Sequence, residues 1–161
     1  HVINTIARSL TDTPDDTYLA GQSDSIDSTR CNVLYVLRLA DSTESRTLPP
    51  PPIAINVRSS VDEAYMSQII QQCACIFEKH QKAPISLVFF CVDKVGCNVL
   101  ERSSLPQGFP FLKEVRCNFW AERRFLLSKD DFISGRAYHP LLDIARFISS
   151  HNDCILLTKD Q

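Results

Sequence analysis

A long amphipathic helix bracketed by two apolar strands constrains this chain more than any other feature. Ser60-Val61-Asp62-Glu63 reads as a capping box, a hydroxyl cap with a Glu three residues later. Beyond it Val61, Tyr65, Met66, Ile69, Ile70, Cys73, Ile76 and Phe77 recur at helical spacing. Lys79, His80 and Lys82 suit the C-terminal dipole, and Pro84 ends the run. The stretch ahead, Ile53-Ala54-Ile55-Asn56-Val57-Arg58, reads as a strand, and so does the apolar run from Ile85 to Val92 behind it. Strand, helix, strand is a βαβ unit with a right-handed crossover, which places the chain in the α/β class.

The first of these strands has an informative parity. Ile53, Ile55 and Val57 share one face, whereas Ala54, Asn56 and Arg58 share the other. Two polar residues on the small-residue face of a core strand cost stability unless they are satisfied, so this face should meet water, a partner or a polar site.

Around this unit, Val2, Ile3, Ile6, Ala7 and Leu10 predict a short N-terminal helix. Residues 11–30 and 93–112, rich in Asp, Ser and Thr or in Gly and Pro, are expected to be loops. The run from Cys31 to Leu39 predicts a strand buried on both faces, and Pro49 to Pro52 a stiff approach to the next strand. Val115, Cys117 and Phe119 alternate with Glu114, Arg116 and Asn118 as in a half-buried strand, and residues 120–127 continue as strand or mixed structure. Ser128 and Gly135 bracket a weak helical signal, His139-Pro140 leads a final amphipathic helix, and residues 154–157 suit a last short strand. With 161 residues, 44% hydrophobic, and no linker or repeat, the chain reads as a single domain over residues 1–161 with a core of its own.

A net charge of −2 gives no general attraction to nucleic acid, and no apolar stretch is long enough to span a membrane. Seven cysteines, an odd number set among apolar residues, suggest mostly buried free thiols in a reducing compartment, hence an intracellular location, the nucleus included. Cys73 and Cys75 lie about 200° apart around a helix and cannot share one ion, and Cys91 and Cys97 lack the spacing of a zinc knuckle. Asp12, Asp15 and Asp16 lack the Gly and Glu of a calcium loop. No metal ligand set is expected.

The segments Pro52 to Arg58, Val61 to Met66 and Pro84 to Val88, with Asn118 to Arg123 and His139 to Leu142 further on, resemble the transposase-type branch of the PD-(D/E)XK nuclease superfamily. They are similar to recombination-promoting nucleases and their fungal relatives across roughly residues 30–150. The resemblance implies a restriction-endonuclease-like αβββαβ core, a mixed central sheet flanked by helices. One more strand ahead of residue 31 is needed to complete that order. In the family an Asp opens one strand and a Glu-x-Lys or Glu-x-Gln lies on the next, and the carboxylates hold divalent cations that activate water.

Carried onto this chain, the first acid falls on Asn32, the second on Asn56 and the basic position on Arg58. Both carboxylates are amides, and neutral carbonyls are poor replacements for the anionic oxygens Mg²⁺ prefers. The resemblance therefore implies a catalytically degenerate domain, a binding or assembly module without cofactor, with a protein or nucleic-acid partner. An active Mg²⁺-dependent endonuclease is the alternative. It would need a migrated acid; Glu63 is the candidate, although the capping box already gives it a structural role, and Asp41 and Asp62 have no better claim. An unrelated α/β interaction domain is the third reading, favoured if Asn32 and Asn56 lie far apart.

Two other constellations remain. Arg116, Arg123, Arg124 and Arg136, interleaved with Phe119, Trp120 and Phe125, have the composition of a nucleic-acid surface, and Arg116, Arg123 and Arg124 are its candidate contacts. A half-solvated sheet produces the same alternation, and Glu114, Glu122, Asp130 and Asp131 dilute the charge. Cys91 or Cys117 paired with His139 has the elements of a nucleophile but no supporting local motif.

Overall fold

The computed structural model describes residues 2–21, 32–38, 49–58, 61–90, 103–104, 111–128 and 138–147. In chain order the elements are α1 (Val2–Thr11), β1 (Tyr18–Gly21), β2 (Asn32–Leu37), β3 (Ile53–Arg58), α2 (Glu63–His80), β4 (Ile85–Phe90), β5 (Ser103–Ser104), β6 (Lys113–Val115) and β7 (Arg123–Ser128). A further helix, α3, covers 140–147. The strands form one mixed sheet in the order β1-β2-β3-β4-β7-β6-β5. β3, β4 and β7 run parallel at its centre, and antiparallel pairs flank them on both sides. The chain is thus an α/β protein, as the βαβ pattern predicts.

Alternation along the central strands divides the core in two. Ile53 and Ile55 of β3, Ile85 and Leu87 of β4, and Phe125 and Leu127 of β7 pack against Ile6 and Ala7 of α1 and against Leu141, Leu142 and Ala145 of α3. On the opposite face α2 lies across the sheet. Tyr65, Ile69 and Cys73 pack with Val115, Ala121 and Leu126, and Ile76 packs with Leu34 and Ala54. These four α2 residues fall at i, i+4, i+8 and i+11, one stripe of the helix. Ile70 and Phe77, counted with that stripe from spacing alone, are 40% and 47% exposed, because the apolar arc is wider than the contact.

Several expectations need correction. The cap of α2 is Asp62, whose carboxylate accepts from the Tyr65 N–H (2.8 Å). Glu63 is therefore the first helical residue, not the reciprocal partner of a Ser60 cap. At the other end Gln81 takes the left-handed conformation (φ 55°) and its N–H donates to the Phe77 carbonyl at 2.7 Å. Inside the expected loop of residues 11–30 stands β1, antiparallel to β2; buried Tyr18 anchors it, its hydroxyl donating to the Pro51 carbonyl at 2.7 Å. Inside the expected loop of 93–112 stands β5, whose two residues pair with β6. Four-residue and two-residue strands carry too few positions for a period to show in sequence.

Strand β2 is not buried on both faces: Val33 is 40% exposed, since β2 lies next to the edge strand rather than at the sheet's centre. Strand β6 ends at Val115, so the predicted continuation through Cys117 and Phe119 is instead an irregular connection, and Phe119 is 98% exposed. Of the described cysteines Cys73 is buried, Cys117 half-buried and Cys75 exposed, all free; burial is less general than expected. Cys73 and Cys75 do lie on opposite sides of their helix. The weak helical signal at 128–135, the strand at 154–157, Arg136, Asp41 and Cys31, Cys91, Cys97 and Cys154 lie outside the described residues.

The final helix begins as its sequence predicts. Pro140 occupies the first helical position, where its missing N–H costs nothing. His139 caps it: Nδ1 accepts from the Leu141 N–H (3.1 Å), and its ring stacks obliquely on Phe111 at 4.9 Å. Among the described residues no helix is long and apolar enough to cross a membrane.

Candidate functional site

Strand register places a polar layer between α2 and the sheet. In the antiparallel β2/β3 pair, Asn32 stands directly opposite Asn56. The two positions carried over from the catalytic acids are therefore cross-strand neighbours, about 5 Å apart in such a ladder. Across the parallel strands, Ala54, Ser86 and Arg124 form one row, and Asn56, Val88 and Leu126 the next row but one along each strand. Asn56, Ser86 and Arg124 are each 0% exposed.

The parity argument for β3 holds only in part. The face bearing Asn56 is polar, yet it meets α2 rather than solvent. Asn56 Nδ2 donates to Gln72 Oε1 at 3.2 Å, tying the strand to the middle of the helix. Asn56 Oδ1 and Ser86 Oγ have no hydrogen-bond partner among the described residues, nor have Nε, Nη1 and Nη2 of Arg124. Each unsatisfied buried polar atom costs about 1–3 kcal/mol, and a buried unpaired charge several more.

Arg124 has one favourable contact, the Trp120 ring at 5.3 Å from its guanidinium carbon. Burial lowers its pKa, while Tyr65, Cys73 and Cys117 nearby pull the other way. Burial also dominates at Cys73, pushing its thiol up to about 12, and raises Cys117. Both sulfurs stay protonated at neutral pH and offer no countercharge.

Among the described residues the three candidate arginines do not share one solvent face. Arg124 is withdrawn into the core. Arg123 is committed to Glu114 through two bonds, Nε to Oε1 at 2.8 Å and Nη2 to Oε2 at 3.0 Å, and its guanidinium lies 4.7 Å over the Phe125 ring. Its hydrogen bonds to the Glu114 carboxylate hold its pKa up. Only Arg116 of the three is exposed. Two consecutive arginines on a strand covered on both faces must point to opposite sides, so the burial of one was readable from Arg123-Arg124. Ser86, a hydroxyl inside an apolar strand, and Gln72 were the residues that sequence reasoning missed.

Of the acids considered as replacements, Glu63 stands apart from Asn56. Gln72, its partner, follows Glu63 by nine residues, which puts Glu63 about 13 Å away along the helix axis. Asp62 is engaged in its cap. Cys117 packs on the α2 side of the sheet and His139 against Phe111 on the other, so they form no catalytic pair. Asp15 pairs with Arg8, and the Asp16 N–H donates to Asn4 Oδ1 at 3.0 Å, tying the acidic turn to α1. Among the described residues no group of three or more His, Cys, Asp or Glu side chains could hold a metal. Two amides and a permanently charged Arg58 do not suit Mg²⁺.

Comparison with protein-family models, curated proteins and solved structures finds no significant match to this chain.

Proposed function

We propose that this chain is a PD-(D/E)XK-type domain that has lost its catalytic acids and works as a binding or assembly module for a protein partner. The observation that carries this reading is the direct pairing of Asn32 with Asn56. It occurs within an order of helix, three antiparallel strands, helix and parallel strand. β1 supplies the strand that the resemblance required ahead of residue 31. Paired acids at these positions would suit a metal; the amides that stand there lack the charge it needs. The dispersed basic residues and the net charge of −2 favour a protein over a nucleic acid as partner.

Incubation of the chain with labelled DNA and RNA in Mg²⁺ or Mn²⁺ tests the loss of activity. Cleavage should stay at the background rate. Cleavage that EDTA abolishes, and that follows the protein through purification, would overturn the reading.

A further inference from the structure

The guanidinium of Arg124 is fully buried, and none of its three nitrogens has an acceptor among the described residues. Water could accept its hydrogen bonds but would not neutralise the charge. The carboxylate closest in sequence on the neighbouring strand, Glu114, is held by Arg123 through both oxygens. The nearby thiols are neutral. Ser86, beside Arg124 in the β4/β7 register about 4.8 Å away, presents a second buried and partnerless polar group. A permanent cation and a free hydroxyl donor side by side, with no anion to receive them, form one half of a recognition site.

We propose that Arg124 and Ser86 bind a small inorganic oxyanion of the phosphate class beneath α2. The guanidinium supplies charge and a fork of N–H donors, and the Ser86 hydroxyl a further donor. Trp120, against the guanidinium, and Cys117 nearby are only half-buried, in the irregular connection between β6 and β7. The site lies in the same polar layer as Asn56, two residues along the strands, but uses neither Asn32 nor Asn56, and the inference stands whether or not the nuclease-fold reading does. The full burial of Arg124 selects a small free anion over a phosphate carried on a bulky molecule.

Trp120 is the chain's single tryptophan and lies against the guanidinium, so its fluorescence reports the site directly. Inorganic phosphate, titrated against chloride at constant ionic strength, should change Trp120 emission saturably, with half-saturation below about 1 mM. Arg124→Met should weaken the response at least about tenfold, and Ser86→Ala severalfold. The Ser86→Ala arm keeps the test decisive if Arg124→Met fails to fold. A wild-type signal that does not saturate by about 20 mM phosphate would overturn the proposal. So would a response unchanged in a folded variant, or saturation by a nucleoside monophosphate but not by inorganic phosphate.

Discussion

Replacing Arg124 by Met in phosphate-free buffer should stabilise the protein rather than damage it. The native side chain is 0% exposed, its three nitrogens lack partners among the described residues, and its one favourable contact is the Trp120 ring. Met keeps an unbranched apolar stem of similar reach, so the packing against Tyr65, Cys73 and Trp120 largely survives. Loss of the cation–π contact costs about 0.5–2 kcal/mol. Removal of the desolvated charge returns about 1–4 kcal/mol, the range found when buried ionic groups give way to apolar residues of similar volume. The balance runs from a loss of about 1 to a gain of about 3.5 kcal/mol, centred on a gain of about 1 kcal/mol, at most about 10 °C in Tm for a domain of this size. Urea denaturation gives the free energy and thermal unfolding the midpoint, with phosphate absent and then present. Phosphate should raise the wild-type midpoint and leave the variant's unchanged. A variant destabilised by more than about 2 kcal/mol in phosphate-free buffer would refute the reasoning, because that is the signature of breaking a satisfied buried pair.

Asp62→Ala removes the carboxylate that accepts from the Tyr65 N–H and should cost about 1 kcal/mol in urea denaturation. His139 caps α3 only while Nδ1 is an acceptor, and burial lowers its pKa from the ordinary 6.5. Its contribution is therefore complete above about pH 6.5 and is lost as the pH falls through the lowered value; His139→Asn, a cap that does not titrate, should flatten the acid side of the stability profile. A double-mutant cycle on Arg123 and Glu114 should give no more than about 1 kcal/mol of coupling, since both side chains are partly solvated. Fluorescence anisotropy with labelled duplex and single-stranded DNA should show no binding tighter than about 10 µM at physiological salt, because one exposed arginine of the three candidates cannot neutralise several phosphates.

The parts of the fold that were legible in the sequence are those with long, mutually consistent signals. The helix between Ile53–Arg58 and Ile85–Phe90 shows a period, a cap region and a terminating proline, and the structure keeps all three elements. His139-Pro140 was legible for the same reason, a specific local geometry written in adjacent residues. Strand β1 was not: Tyr18-Leu19-Ala20-Gly21 becomes a strand because β2 offers it a pairing partner, and that is a tertiary cause. The cap moved from Ser60 to Asp62 because both positions carry competent oxygens two residues apart, and local pattern does not choose between them.

At the site, parity correctly set Asn56 apart from Ile53 and Ile55 but could not say what would cover it. Gln72 of α2 covers it, through a contact sixteen residues away in sequence. The arginine cluster misled in a related way. Composition places Arg116, Arg123 and Arg124 together, whereas strand alternation, an early stop to β6 and the claim of Glu114 separate them.

On the proposed reading, Asn32 and Asn56 stand where a metal-binding pair of acids once stood. Calorimetric titration with Mn²⁺ of the native chain and of the double variant Asn32→Asp, Asn56→Glu, each verified as folded by circular dichroism, tests it most directly. The native chain should give no binding heat, and the variant a stoichiometric site with a Kd below about 100 µM. Micromolar Mn²⁺ binding by the native chain, or none by the folded variant, would contradict it.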